Sequence, residues 1–185
     1  LGVELEVSNM EFDSIITAVK SGKAAFGAAG MTADETRRKS VDFSDTYFSA
    51  SQVIIVRADE TEITSGDDLV GKSIGVQLGT TGDKYCTDEI ADTEVVRYNK
   101  GADAVQALLA GKIDAVVIDD FPATKYVEKN EGEIVKLDET LTEEEYAICV
   151  SKGSTEILDA INEVIREMKE SGELDEIISN YLTAE

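Results

Sequence analysis

The chain has 185 residues, 42% hydrophobic and 30% charged, which allows one ordinary domain or two small lobes with a substantial core. Its net charge of −22 (17 basic, 39 acidic residues) disfavours nucleic-acid binding, which needs cationic surface to displace counterions from phosphate. Histidine is absent, which excludes Ser-His-Asp and Cys-His nucleophilic systems and every histidine-ligated metal site. No apolar run approaches a membrane span, and no basic-apolar-small segment opens the chain, so any targeting segment is expected outside this sequence.

Strand-like and helix-like runs alternate almost throughout, predicting an α/β fold with mostly parallel sheet. Val3–Val7 reads as a strand, and Phe12–Lys20 as a helix with Ile15, Ile16 and Val19 on one face. Ala24–Ala29 is the next strand. Gln52–Arg57, Ser73–Gln77, Glu94–Tyr98 and Asp114–Asp119 follow as strands, with helices at about Thr80–Glu89, Ala102–Ala110 and Pro122–Lys129. The single proline, Pro122, suits a first helical turn. Glu145–Ser151 is a strand. Ser154 is predicted to cap a long amphipathic helix carrying Ile157, Leu158, Ile161, Val164, Ile165 and Met168, ended by Ser171-Gly172 and followed by a helix over Leu174–Leu182. No Ser/Gly- or Pro-rich linker separates the halves, so any lobes should be joined by ordered strands. Cys86 and Cys149 lie too far apart for a zinc motif; both read as buried small hydrophobes, with a disulfide left open.

Two stretches share one construction. Ala18-Val-Lys-Ser-Gly22-Lys leads into a small-residue strand, and Ala107-Leu-Leu-Ala-Gly111-Lys does the same 89 positions later. The repeat predicts two similar lobes, each presenting the C-terminal end of a strand, which is where open α/β sheets bind ligands. The first end carries Gly30-Met31-Thr32 with Arg37 beyond it. A glycine there lets a ligand approach backbone N–H groups, and a guanidinium can grip a carboxylate through two parallel hydrogen bonds. Alternatively, Arg37-Arg38-Lys39 is a solvated basic run.

The second candidate is Gly75-Val-Gln77-Leu-Gly79-Thr80-Thr81-Gly82, a strand turning into a helix start that could hold a carboxylate or phosphate. Simple N-capping by Thr80 is the competing reading. The third is Asp119, at the end of an Ala-Val-Val-Ile strand. It would receive an ammonium group, or else be a solvated aspartate capping the next helix. Arginine, helix start and carboxylate together complement a zwitterion, and a free α-amino acid is the natural guess.

Taken in combination, Ala-Ala-Gly30-Met-Thr with Arg37 and Val41-Asp-Phe-Ser, Gly75-Val-Gln-Leu-Gly-Thr-Thr81 and Asp114-Ala-Val-Val-Ile-Asp119 resemble the polar amino-acid-binding proteins of ABC importers, solute-binding family 3. The resemblance runs the length of the chain. It implies the type II periplasmic-binding fold: two α/β lobes, residues 1–48 with 146–185 and residues 49–145, joined by two strands near Tyr47–Ser51 and Glu144–Ala147. By this resemblance Arg37 binds the ligand carboxylate with Thr32 and Thr81, the Gly30 carbonyl and Asp119 take the ammonium, and Phe12 packs on the ligand side chain. Met31, Gln77 and Thr80 complete the expected site. The family's first strand and helix have no counterpart here, which implies a fragment or a segment-swapped dimer. The implied partners are a small polar amino acid and permease subunits, outside the cytoplasm (in the periplasm, or at the surface as a lipoprotein). No cofactor, metal or catalytic residue is implied. The alternatives on the same scaffold are a cyclohexadienyl-dehydratase-like enzyme and the ligand-sensing domain of a receptor.

Overall fold

The computed structural model describes residues 2–183. The chain divides into two compact units, Leu1–Ser49 with Glu145–Glu185, and Ala50–Glu144.

The second unit is built on a five-stranded sheet. Its strands are β3 (Gln52–Arg57), β4 (Ser73–Gln77), β5 (Glu94–Tyr98), β6 (Ala115–Asp119) and β7 (Ile134–Thr140), in the order β5-β4-β6-β3-β7. Helices α3 (Thr81–Asp88), α4 (Gly101–Leu109) and α5 (Asp120–Lys129) connect them. The sheet is covered on both faces, which explains the unbroken apolar runs of β3 and β6. Successive side chains of a strand point to opposite faces. Thus Val53 and Ile55, with Val116 and Ile118, join Val105 and Leu108 of α4 in one core. Ile54 and Val56, with Ala115 and Val117, join Ile74, Val76 and Cys86 of α3 in the other.

The expected parallel pairing holds only where a helix joins neighbouring strands. β4 runs parallel to β5 and to β6, whereas β3 pairs antiparallel with both β6 and β7. Parallel neighbours need a long crossover. β4-α3-β5 and α4-β6 supply such crossovers, but β3 comes directly after the preceding strand and enters the sheet in the opposite sense. The sheet is therefore mixed.

The first unit holds a smaller sheet of β1 (Phe26–Gly27), β8 (Glu144–Ser151) and β2 (Val41–Ala50), in the order β1-β8-β2, with β1 antiparallel to β8. Here too the parallel expectation is corrected. Its core joins Val19 of α1 (Ile15–Lys20) to Met31, Val41, Phe43, Ala147 and Cys149. A four-residue helix, α2 (Glu35–Arg38), precedes β2, and α6 (Thr155–Ser171) and α7 (Glu173–Thr183) close the chain. Gly172, at φ 80°, ends α6 as expected, but Ser154 starts it without a side-chain cap bond.

Val3–Val7 does not form a strand. The segment carries no regular structure, and Val3, Leu5 and Val7 are 77%, 67% and 83% exposed. Alternation alone cannot make a strand: the ladder needs a partner edge.

Both cysteines are buried and unbridged, each in the core of a different unit. Burial pushes the Cys86 thiol up to about 12 and raises that of Cys149. Since the thiolate is the reactive form, neither should be labelled by a thiol reagent at pH 8 until the protein is unfolded in urea. Rapid labelling of either in the native protein would contradict this packing.

Candidate functional site

In the first unit, the predicted residues gather around a buried arginine. Asp34 caps α2: its Oδ1 accepts from the Arg37 N–H at 2.8 Å, and its Oδ2 lies 3.7 Å from Arg37 Nε. The helix cap and the guanidinium thus share one carboxylate. Arg37 Nη1 donates to the Thr32 carbonyl at 2.8 Å, and its Cζ lies 5.4 Å from the centre of the Phe12 ring. Arg37 is only 7% exposed, so the solvated-run reading fails for it. It holds for its neighbour: Arg38 is exposed, donating from Nε to the Ala33 carbonyl at 3.0 Å and covering Phe43.

Phe12, Thr32 and Arg37 are therefore brought together. Gly30 is exposed beside them, and a Cβ added there would sit 3.1–3.3 Å from the Tyr146 ring. Sequence reasoning did not reveal the aromatic wall here, with Tyr146 stacked on Phe48 at 5.5 Å and tilted against Tyr47 at 6.5 Å. The Tyr47 hydroxyl donates to the Ala29 carbonyl at 2.7 Å, and burial pushes its ionisation up to about 12. Met31 departs from expectation. It is 1% exposed in the core, its N–H donates to the Ala29 carbonyl, and its own carbonyl accepts from the Ala147 N–H. Met31 holds the strand end in place instead of lining it.

In the second unit, the Gln77–Thr81 turn starts α3. The Thr80 hydroxyl donates to the Gln77 carbonyl at 2.8 Å and accepts from the Asp83 N–H at 3.3 Å. Asp83 reaches back to the Gly79 N–H at 3.0 Å, and Arg97 pairs with it at 2.9 Å. This is a closed cap, so the hydroxyl of Thr80 does the structural work that spacing alone suggested. Thr81 is half-buried at the first helical position, and Gln77 donates to the Asn99 carbonyl at 3.3 Å.

Asp119 ends β6, opposite Gln52 in the β3 ladder. Its Oδ1 accepts from Gln52 Nε2, and the same nitrogen donates to Glu144 Oε1 at 3.0 Å. Gln52 and Glu144 are 1% and 8% exposed. Sequence reasoning missed both. A polar residue heading Val-Ile-Ile-Val was a signal for Gln52, since a fully buried amide must find partners. Glu144 sits in Glu143-Glu144-Glu145, which reads as a solvated acidic run. Among the described residues no group of three or more potential metal-binding side chains converges.

The family model of bacterial extracellular solute-binding proteins, family 3, matches residues 1–184. The chain belongs to this family. It is 34% identical to the arginine-binding extracellular protein ArtP of Bacillus subtilis, over 100% of this chain and 73% of that protein. It is 28% identical to the L-cystine-binding protein TcyJ of Escherichia coli K12, over 100% and 70%. Among solved structures, an ancestral arginine-binding protein bound to arginine superposes with a TM-score of 0.90 at 40% identity, over 97% of this chain and 81% of the other. AbpA of Streptococcus pneumoniae, an amino acid ABC transporter substrate-binding protein bound to L-arginine, gives 0.92 at 33% identity, over 99% and 78%. The fold is accordingly the type II periplasmic-binding fold of this family, whose relatives are extracellular or periplasmic amino-acid-binding proteins of ABC transporters.

The cap assignment predicts that Thr80→Ala lowers stability by about 1 kcal/mol. Urea unfolding followed by circular dichroism measures this; no loss would return the hydroxyl to a ligand role.

Proposed function

We propose that this chain captures a free polar L-amino acid outside the cytoplasm and delivers it to an ABC permease. Arg37 takes the ligand carboxylate and Asp119 its ammonium group. The observation that carries the reading is the burial of Arg37 on Asp34, the Thr32 carbonyl and the Phe12 ring. An arginine desolvated this far needs a reason, and one with a polar strand end beside it suits a carboxylate ligand. Thr32 and Thr81 offer hydroxyls, the Gly30 carbonyl a second acceptor for the ammonium, Phe12 an apolar face, and Gln77 and Thr80 the turn that shapes the second unit's edge. Met31 supports from below.

The reading includes arginine as the ligand. Its support is the net charge of −22, which draws in cations, and the arginine named for ArtP and for the ancestral protein. The two units act as lobes, with the crossings at Ser49/Ala50 and Glu144/Glu145 as hinges. Binding favours closure only through the ligand's greater affinity for the closed state. The chain acts as a carrier and not as an enzyme: no paired acid and base stand out among the candidate residues, and the relatives bear the names of binding proteins.

Calorimetry with a panel of amino acids tests this. L-Arginine should bind, and Arg37→Ala should raise Kd at least a hundredfold while Arg38→Ala changes it less than threefold. Binding of no α-amino acid, or equal losses from the two changes, would sink the assignment.

The exposed alternation of Val3, Leu5 and Val7, an apolar pattern without a strand partner among the described residues of its own chain, favours a second element of the proposal, pairing of this segment with a second copy. Light scattering should give a dimer that Leu5→Lys dissociates. A monomer at every concentration would overturn the pairing while leaving the ligand reading intact.

A further inference from the structure

From the hydrogen bonds around Gln52 we infer that this residue is the positioning residue of the ammonium subsite: its amide aims the Asp119 carboxylate and sets the seat of the α3 first turn. The inference rests on the amino-acid reading above and goes beyond it by naming a residue that no ligand need touch.

Four observations converge on Gln52. Its Nε2 donates to Asp119 Oδ1 and to Glu144 Oε1, so the two N–H bonds of one neutral amide hold two carboxylates. Both acceptors are acidic, which fixes the orientation of the amide: turned over, its oxygen would face two carboxylate oxygens. Second, the partners close a ring. The Gln52 backbone N–H donates to Thr142 Oγ1 at 3.0 Å, Thr142 Oγ1 donates to Glu144 Oε1 at 2.6 Å, and Glu144 returns to the amide. The side chain is therefore tied at its root and at its tip, and it cannot change rotamer without breaking the ring.

Third, Gln52 and Asp119 stand opposite each other in the ladder, on the face of the sheet that Ile54, Val56 and Val117 present to α3. On that face Gln52 Oε1 is buried with no hydrogen-bond partner among the described residues. It lies 2.6 Å from where a Cβ on Gly82 would be, with the Val117 carbonyl at 3.1 Å from the same point. Only glycine fits the second position of α3, because the amide oxygen occupies that space. Fourth, Glu144 is the last residue of the second unit, and Gln52 lies two residues inside its start at Ala50. One amide thus links Asp119, the turn carrying Thr81, and the residue at which the chain leaves the unit.

The consequence is mechanical. A carboxylate at a strand end swings freely about two side-chain bonds; Asp119, gripped at Oδ1, presents its charge in one direction. Ammonium binding then costs less ordering, which is preorganisation. Gln52 acts through Asp119, so its removal should hurt only while Asp119 carries its charge.

A double-mutant cycle with L-arginine as the probe tests this. Gln52→Met keeps length and burial without donors. By calorimetry it should raise Kd at least tenfold in the otherwise native protein, and less than twofold in an Asp119→Asn background. Equal losses in both backgrounds would make Gln52 a general packing residue and overturn the inference while the amino-acid reading stands. If the native protein binds no amino acid at all, both fall. Should Gln52→Met fail to fold by circular dichroism, Gly82→Ala decides by the same cycle. The added methyl meets Gln52 Oε1 and must displace the amide, so its loss should likewise vanish beside Asp119→Asn; persistence of the full loss would overturn the inference.

Discussion

The β3–β6 register decides what the second unit can do. Val53 to Val56 pair with Ile118 to Ala115, and all eight side chains are buried. Burying each larger apolar side chain stabilises by about 1.5–3 kcal/mol, so the apolar run locks the two strands against sliding. A slip of one residue would turn every side chain of β3 to the other face. The polar end of the ladder inherits that certainty. Gln52 stands opposite Asp119 because four apolar pairs leave no other arrangement, and the ring with Thr142 and Glu144 closes on a framework already fixed. A charge-bearing residue at a strand end is normally mobile; here its position is set by packing several ångströms away.

The first unit solves the opposite problem, holding a buried cation. Taking a guanidinium from water is costly unless its N–H groups find acceptors. Arg37 meets three conditions at once, through a carboxylate that also caps its own helix, a backbone carbonyl five residues earlier, and an aromatic face. Asp34 matters doubly, because it gives the short α2 its starting cap and Arg37 its counter-charge. The bonds of Arg38 are exposed, and the screening of water leaves them worth little. Two adjacent arginines with the same chemistry thus differ in role because a helix turns about 100° per residue and only one faces the core.

How much of this could be read from residues alone depends on the range of the forces involved. β3, β4 and β5 fall at the residues where their apolar, β-branched runs begin and end, and α3, α4 and α7 lie within a residue or two of expectation. These elements obey local patterning and capping. β2 and β7 escaped because Val41–Ala50 and Ile134–Thr140 mix charged, hydroxyl and apolar residues with little strand alternation; their pairing partners, not their composition, make them strands. Val3–Val7 failed for the converse reason, having the pattern without a partner. At the site, Thr32 and Arg37 are legible as chemistry-bearing types beyond a strand end, whereas Phe12, in the turn ahead of α1, is pointed to only by the family resemblance. Gln52 and Glu144 are not legible, since they are 92 residues apart and acquire meaning only when the β3 ladder and the start of β8 bring them together. Met31 turns into the core, an orientation that nothing in Gly-Met-Thr specifies.

The duplicated Gly-Lys stretches have a narrower explanation than duplication of a lobe. After α1, the Gly22 N–H donates to the Val19 carbonyl and the Lys23 N–H to the Ala18 carbonyl; after α4, Gly111 donates to Leu108 and Lys112 to Ala107. Both glycines have positive φ, 73° and 67°. This is one helix-ending motif used twice, with glycine at the left-handed position and six-to-one and five-to-two bonds satisfying the last carbonyls. Any helix that must stop and turn the chain into a strand a few residues later can use the same solution. Beyond the turn the two strands diverge. β1 is two residues long and pairs antiparallel with β8, whereas β6 runs five residues through the middle of its sheet. The local code explains why each strand starts where it does. The groups presented at their ends, a buried guanidinium in one unit and an amide-held carboxylate in the other, come from tertiary pairing that the turn does not encode.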